Sequence, residues 1–408
     1  MNLFLPGNGT SSPGRELLFA NFNQDNSCFA CGTVNGFVVF NTVPFRETFR
    51  RIFSSGGIGI VEMLFRCNLL ALVGGGKNPR YPPNKVMIWD DYQNKCVGEL
   101  MFKTHVYAVR LRRDHIVVVL ENKVYIYRFK DLKLLVQIPT CSNTKGLIAL
   151  CPELTHVVLA IPGTTKGSVR VELFDIRKNI TIQCHSSDLA QIALSRNGSL
   201  LATASDKGTL IRLWNPHNGT AVRELRRGSD RADIYCLTFS PKGTYLACTS
   251  DKGTAHIFSL SGDHAKPGAG GGAGMSPPPS PRAEGDGGGD NPHANSGRRN
   301  SAMKGVGLLQ KVLPEGAVPR YFQSEWSYAQ LRGFEGKEKA ICAIDSTEQY
   351  ISVVSADGLY THAHFGNGGE AVRVLVGSAL TTQDGAHEGG ASGVAAATWE
   401  HPESNVTT

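Results

Sequence analysis

Two adjacent arginines, Arg226 and Arg227, are the residues of this sequence whose possible chemistry is clearest. Adjacent side chains on an extended strand point to opposite faces, so the two guanidinium groups would serve two pockets, one on each side of the strand. The same five residues, Ser-Asp-Lys-Gly-Thr, precede the pair at 205–209 and follow it at 250–254. Guanidinium groups and hydroxyl donors together commonly hold a phosphate. The arrangement therefore predicts two phosphate-binding pockets that flank one strand.

A repeated pattern of short apolar strands and polar turns must position these pockets. Residues 193–205 align with residues 238–250 at an offset of 45 residues, which lies within the WD40 period. Trp89 and Asp90 match the Trp-Asp signature that ends the third strand of a propeller blade. About seven such units fit between residues 15 and 380. The sequence therefore predicts an all-β protein, a seven-bladed β-propeller, with an irregular β-sandwich as the alternative.

One long segment interrupts this pattern in the sixth unit. Residues 261–305 are mostly Gly, Pro, Ser and charged residues, which cannot bury enough apolar surface to offset the entropy of ordering. We therefore expect residues 261–320 to be a membrane-facing insertion loop between the third and fourth strands, with the fourth strand at 321–329. Residues 1–14 are expected to be an N-terminal tail and residues 381–408 a disordered C-terminal tail.

Apolar residues near the exit of this loop could enter a lipid headgroup layer from one face of a helix. Gly305 and Gly307 lower the helix propensity, and loops of this composition are often merely flexible, so that alternative stays open. The predicted membrane-inserting residues are Val306, Leu308, Leu309, Val312 and Leu313.

The composition restricts the partners and the compartment. The net charge of +7 favours anionic partners, but the basic residues are scattered, which argues against nucleic acid. The first residues lack the basic and apolar regions of a secretory signal, so we expect a protein that stays inside the cell. No apolar run approaches the ~18 residues of a membrane-spanning helix. Any membrane contact is therefore expected to be peripheral.

The sequence carries no signature of a cofactor or a catalytic centre. The ten cysteines mostly lie in apolar phrases and are expected to be small buried hydrophobic residues. Cys28 and Cys31 form a single C-x-x-C without the second pair that a zinc site needs. No metalloprotease, hydrolase or Walker A motif is present, and the Gly-rich residues 74–77 lack P-loop spacing. We therefore expect no metal site, no cofactor and no enzymatic activity.

With these residues in view, the chain resembles the PROPPIN family of seven-bladed propellers that bind phosphoinositides. The resemblance covers most of residues 15–380 and is closest to the autophagy members called WD-repeat proteins interacting with phosphoinositides. It rests on Leu-Arg-Arg-Gly at 225–228, on residues 204–212, on Leu-Ala-Leu-Val-Gly-Gly-Gly at 70–76, and on residues 82–90. The residues around position 185 depart from the family pattern, and the Gly-rich loop is of its own kind.

The resemblance implies a role for particular residues. The first pocket would consist of His185, Ser205, Thr209, Arg212 and Arg226. The second would consist of Arg227, Ser250, Thr254 and His256. The implied ligands are phosphatidylinositol 3-phosphate and phosphatidylinositol 3,5-bisphosphate. Asn23 and Asp25 would engage the lipid-transfer protein of autophagy. The protein is expected to be a monomeric scaffold, cytoplasmic and peripherally attached to preautophagosomal, endosomal or vacuolar/lysosomal membranes, where it recruits the autophagy machinery.

A purely structural interpretation of the same residues competes with the lipid-binding one. Arg-Arg pairs in propellers are often solvated turns, and Ser/Asp/Gly turns recur in WD40 blades because they satisfy backbone donors. The alternative function is a generic WD40 platform for protein–protein interaction without lipid specificity. The conjunction of the arginine pair with both flanking turns favours the lipid interpretation. The choice between the monophosphate and the bisphosphate stays open.

Overall fold

The computed structural model describes residues 16–54, 56–261, 324–333 and 339–380. Within these ranges the chain is built from β-strands, which form seven sheets that we number as blades 1 to 7 in chain order. A sequence of alternating apolar strands and tight turns produces this architecture because each four-stranded sheet needs a neighbour on both faces to bury its apolar side chains. The predicted seven-bladed β-propeller is confirmed.

Each of the first four blades contains four strands. Blade 1 contains β1 (Leu17–Phe22), β2 (Cys28–Thr33), β3 (Gly36–Asn41) and β4 (Arg46–Ile52). Blade 2 contains β5 (Gly57–Met63), β6 (Leu69–Gly75), β7 (Lys85–Asp90) and β8 (Lys95–Met101). Blade 3 contains β9 (Ala108–Leu111), β10 (His115–Val119), β11 (Lys123–Arg128) and β12 (Leu134–Pro139). Blade 4 contains β13 (Ala149–Leu150), β14 (Val158–Pro162), β15 (Ser168–Leu173) and β16 (Lys178–Gln183).

The remaining blades carry the predicted pockets. Blade 5 contains β17 (Leu189–Leu194), β18 (Leu201–Ser205), β19 (Leu210–Trp214) and β20 (Ala221–Arg226). Blade 6 contains β21 (Ile234–Phe239), β22 (Tyr245–Ser250), β23 (Thr254–Ser259) and β25 (Ala329–Arg332), with the short β29 (Gly369–Glu370) added in parallel. Blade 7 contains β26 (Ala340–Ile344), β27 (Tyr350–Ser355), β28 (Leu359–His364) and β30 (Val372–Ser378). A further short strand, β24, spans Glu325–Trp326.

The core lies between adjacent sheets. The middle strands β2 and β14 are buried along nearly their whole length, because neighbouring blades cover both of their faces. The outer strands β8 and β16 instead have mostly exposed or half-buried residues. Apolar side chains of two neighbouring blades therefore interdigitate, and polar residues collect at the outer strands and at the turns.

Side chains close the ring between blades 7 and 1, since each of these blades is built from its own strands. Phe29, Phe40, Phe45 and Tyr360 stack on one another, with 4.4 Å between the ring centroids of Phe45 and Tyr360. The Tyr360 hydroxyl donates to the Thr42 carbonyl at 2.7 Å. These contacts hold the first and last blades together, and none of the strands that the structure describes is exchanged between them.

The strands test the predicted place of the Trp-Asp signature and of the long insertion. Trp89 and Asp90 end β7, the third strand of blade 2, as predicted. The insertion falls between β23 and the last strand of blade 6, also as predicted, but the assignment of that last strand to 321–329 was wrong. The strand that pairs with β23 is β25 (Ala329–Arg332). The aromatic residues before it misled the assignment, whereas Ala329 and Leu331 alternate as buried residues on the paired strand.

Several predictions fall outside the described residues. They are the loop 261–320 beyond its first residue, the membrane-inserting residues between 306 and 313, and both tails. A second compact unit, residues 263–325, is described only at its last two residues. Within the described ranges, no helix has the length and apolar character needed to cross a membrane.

Candidate functional site

Strand β20 separates the two predicted pockets. Arg226 pairs with Leu210 at the end of the strand, and the Arg227 amide donates to the Thr209 carbonyl at 3.0 Å, which extends the ladder by one residue. Alternation places Arg226 on the same face as Glu224, and Arg227 on the same face as the fully buried Leu225. The two arginine side chains therefore leave the strand on opposite faces.

The first pocket lies on the face of blade 5 that is turned towards blade 4. In the strand register, Thr203 is opposite Arg212, and Arg212 is opposite Glu224. Ser205 and Arg226 share this face by alternation. His185 reaches the same face from the segment after β16, with its Nε2 3.0 Å from the Thr203 hydroxyl. The fold therefore brings four of the five predicted residues of the first pocket to one face.

Arg212 ties blade 5 to blade 4 within this pocket. Its Nη1 donates to the Cys184 carbonyl at 2.7 Å, and its Nε lies 3.0 Å from Glu224 Oε2. Both side chains of this ion pair are about one third exposed, at 35% and 36%. The charge of Arg212 is thus largely compensated by Glu224, and the arginine also holds the backbone that precedes His185.

His185 is an uncharged member of the first pocket. Burial disfavours the protonated ring, and Arg212 adds to the effect, so the pKa of His185 is lowered to about 4. The Thr203 hydroxyl that it contacts also accepts a hydrogen bond from Trp214 Nε1 at 3.0 Å. His185 therefore offers hydrogen bonding and shape rather than positive charge.

The turn that carries Ser205 and Thr209 depends on a glycine. Gly208 has a φ of +62° and donates to the Ser205 carbonyl at 2.9 Å. A Cβ at this position would lie 1.8 Å from the Ala232 carbonyl oxygen. Glycine is therefore needed in the Ser-Asp-Lys-Gly-Thr turn for a structural reason, as the alternative interpretation of these turns holds. This reason is separate from any binding role of the hydroxyl groups.

Arg227 is buried and held by backbone carbonyls. Its Nε donates to the Gly208 carbonyl at 2.6 Å and its Nη2 donates to the Asp230 carbonyl. In the described part of the chain it forms no ion pair with a carboxylate. These two bonds use two of the five N–H donors of the guanidinium group.

The second pocket lies where Arg227 faces blade 6. Ser250 is buried at the end of β22 and Thr254 begins β23, and His256 follows on the same face as Thr254. The pKa of His256 is lowered to about 4, first by burial and then by the positive charges of Arg227 and Arg332. The influence of Arg227 on this pKa indicates that its guanidinium group lies within electrostatic range of His256.

Three residues of this second region were missed by the sequence analysis. Gln330 is opposite His256 and Arg332 is opposite Thr254 in the register of β23 and β25. The Ser327 hydroxyl lies 3.3 Å from His256 Nδ1. No signal in the sequence could have identified these residues, because their frame depends on where the strand resumes after the long insertion.

The predicted partner-binding residues lie in the turn between β1 and β2. Asn23 is buried, donates from Nδ2 to the Phe65 carbonyl at 3.3 Å, and accepts from the Cys28 amide at 3.1 Å. Asp25 accepts from the Ser27 amide at 3.0 Å and from its hydroxyl at 2.6 Å. Asn23 therefore shapes the turn, and Asp25 is the more accessible of the two.

The cysteines behave as core residues. All ten are free, and seven of them are buried. Cys28 and Cys31 point to opposite faces of β2, and burial raises the pKa of Cys31 to about 12. Within the described ranges, no group of three His, Cys, Asp or Glu residues is arranged to hold a metal ion.

A sequence profile of the PROPPIN family matches residues 17–267, more than half of the chain. The chain belongs to the PROPPIN family. The matched region of this PROPPIN contains every predicted residue of both pockets, whereas Arg332 lies beyond it.

Curated relatives agree with the family assignment, and a solved structure agrees with the fold. Autophagy-related protein 18e of Arabidopsis thaliana is 44% identical over 252 residues, which cover 61% of this PROPPIN and 67% of the relative. Autophagy-related protein 18 of Dictyostelium discoideum is 34% identical over 353 residues, covering 86% and 89%. Hsv2 of Kluyveromyces marxianus is similar in structure, with a TM-score of 0.66, 21% identity, and coverage of 90% and 100%. This PROPPIN is thus an autophagy-related β-propeller of a phosphoinositide-binding family.

Proposed function

We propose that this PROPPIN is a peripheral scaffold that docks on membranes carrying phosphatidylinositol 3-phosphate or 3,5-bisphosphate through the two pockets that flank β20, and there recruits autophagy machinery. The observation that carries the proposal is the divergence of Arg226 and Arg227 from one strand towards two hydroxyl-lined regions. A guanidinium group binds phosphate through charge-assisted, often paired hydrogen bonds.

The electrostatics of the two pockets support anion binding. Because the pKa values of His185 and His256 are lowered to about 4, both rings are neutral at physiological pH. The attraction for phosphate would come from the arginines, while the histidines, serines and threonines supply directed hydrogen bonds. Binding would consequently weaken with salt, because mobile ions screen the attraction between the guanidinium groups and the phosphates of the membrane.

Two pockets on one propeller would act together. A single shallow headgroup site binds weakly, because association costs translational and rotational freedom. Once one pocket holds a lipid, the second searches the same bilayer at a high effective concentration, so avidity raises the overall affinity. Entry of the apolar residues into the bilayer would add to this attachment; these residues are Val306, Leu308, Leu309, Val312 and Leu313.

Vesicle flotation tests the proposal. The protein is expected to float with neutral-lipid vesicles that contain phosphatidylinositol 3-phosphate and not with vesicles that contain unphosphorylated phosphatidylinositol. The variant Arg226→Thr/Arg227→Thr should lose flotation. A matched control is Lys123→Thr/Lys133→Thr, which removes the same charge from two exposed positions of blade 3 and should float as the wild type does.

The arginines also contribute to the fold, so a second variant separates binding from folding. Arg227→Lys keeps the charge but cannot reproduce the two carbonyl bonds and a paired phosphate contact together. Unfolding midpoints of every variant are compared with the wild type. If flotation depends neither on the phosphoinositide nor on the two arginines, the result would instead support the generic protein-interaction platform.

We also propose that the turn at Asp25 engages the lipid-transfer protein of autophagy. Asp25→Asn removes the charge while keeping the oxygen that accepts from Ser27, so the turn should survive. Capture of the partner is expected to fall while flotation is unchanged. Full capture by this variant would argue that the partner uses another surface.

A further inference from the structure

Arg332 is an exposed cation at the edge of the second pocket. It is the last residue of β25, outside the region that the family profile matches. Arg373 Nη2 donates to the Arg332 carbonyl at 2.6 Å and to the Gly333 carbonyl at 2.8 Å. The backbone at the end of β25 is thereby fixed, although the Arg332 side chain itself is exposed to solvent.

Hydrogen bonds connect Arg332 to His256 along one face of blade 6. The Nε and Nη2 of Arg332 donate to Gln330 Oε1 at 3.3 and 3.0 Å. Gln330 Nε2 donates to the Ser327 hydroxyl at 3.0 Å, which lies 3.3 Å from His256 Nδ1. Because Arg332 is opposite Thr254 and Gln330 is opposite His256, all four side chains belong to the face that Arg227 approaches from blade 5.

The two pockets differ in compensation of their positive charges. In the first, Arg212 is 3.0 Å from the carboxylate of Glu224. In the second, neither Arg227 nor Arg332 forms an ion pair within the ranges that the structure describes, and Asp251, in the turn between Ser250 and Thr254, is paired with Lys252 at 3.3 Å. Both arginines also act on His256, whose pKa is lowered first by burial and then by their positive charges. Among the described residues, the second pocket therefore contains two guanidinium groups that have no carboxylate partner.

We propose that Arg332 is the second guanidinium of the second pocket and the residue that makes this pocket favour a headgroup with two phosphates over a headgroup with one. This inference rests on the proposed lipid-binding function and deepens it. A single phosphate at the pocket would be held by the fixed Arg227. A second phosphate on the same inositol ring would meet the exposed Arg332, which keeps donors beyond those given to Gln330.

The test compares Arg332→Gln with the wild type on vesicles of neutral lipid that contain either phosphatidylinositol 3-phosphate or 3,5-bisphosphate. Loss of one charged hydrogen-bonding partner is expected to weaken binding to the bisphosphate vesicles about tenfold. Binding to the monophosphate vesicles should change less than about twofold. Arg332→Lys should keep part of the preference. Arg128→Gln, an exposed arginine on blade 3, is the matched control and should bind as the wild type does.

The outcomes separate this inference from the function on which it rests. An equal loss on both kinds of vesicle, or no loss on either, would overturn the role of Arg332 while leaving lipid binding intact. A wild type that binds neither vesicle would overturn the proposed function itself. Soluble inositol 1,3,5-trisphosphate is added as a competitor, and displacement of the protein at concentrations equal to those of the vesicle lipid would identify a soluble inositol phosphate as the ligand and contradict a membrane source.

Discussion

Replacement of Tyr360 by Phe tests whether the Tyr360 hydroxyl helps to hold blades 7 and 1 together. Tyr360 is fully buried, and its hydroxyl donates to the Thr42 carbonyl at 2.7 Å and lies 3.0 Å from the Ser352 hydroxyl. A buried hydrogen bond contributes about 0.5–1.5 kcal/mol net, so the loss of two should lower the free energy of unfolding by about 1–3 kcal/mol. The aromatic ring and its stacking partners are kept in this variant.

Urea unfolding of the purified protein measures the effect. Tyr360→Ala should cost more, about 3–5 kcal/mol, because it also leaves a cavity in the aromatic stack. Tyr92→Phe is the control, since Tyr92 is 79% exposed and its change should stay within about 0.5 kcal/mol. If Tyr360→Phe unfolds at the same urea concentration as Tyr92→Phe, the hydroxyl does not help to close the ring and our reasoning about this junction is wrong.

The remaining predictions concern the two pockets. His185 and His256 have pKa values of about 4 in the folded protein, against 6.5 ordinarily. Between these two values the unfolded chain binds more protons than the folded protein does, so the free energy of unfolding should fall as the pH decreases from 6.5 to 4. The decrease is at most about 1.4 kcal/mol per pH unit for each histidine. His256→Gln should flatten this dependence in urea titrations at several pH values; an unchanged slope would contradict a buried neutral ring. Gly208→Ala should destabilise the protein by more than about 2 kcal/mol and weaken flotation, because its Cβ meets the Ala232 carbonyl in addition to the backbone strain. Gly243→Ala has the same kind of strain at φ +77° but nothing within 4 Å, so equal costs for the two variants would show that the close contact is unimportant.

Local patterns in the sequence were sufficient for the architecture and for the divergence of the arginine pair. The strand rhythm and the Trp-Asp signature depend on neighbours within one blade, and the opposite directions of Arg226 and Arg227 follow from strand alternation alone. Both features could therefore be predicted.

Interactions between segments far apart in the chain could not be predicted. Asn23 is buried because it reaches the Phe65 carbonyl in the next blade, and Arg227 is fixed by two carbonyl groups that no composition or spacing reveals. The position of Arg332 could not be predicted for a related reason. Its position opposite Thr254 depends on the register of a strand that begins only after the long insertion, and aromatic residues before that strand gave a false frame.

The closure of the ring by side chains has a consequence for synthesis of the protein. Blade 1 leaves the ribosome first, yet Phe29 and Phe45 obtain their partner Tyr360 only when the last blade has been translated. Until then the nascent propeller presents an uncovered aromatic surface, which is the kind of surface that chaperones bind and that promotes aggregation. A premature stop codon before residue 340 would leave that surface permanently open, so such a fragment should be removed by quality control rather than persist as a six-bladed protein.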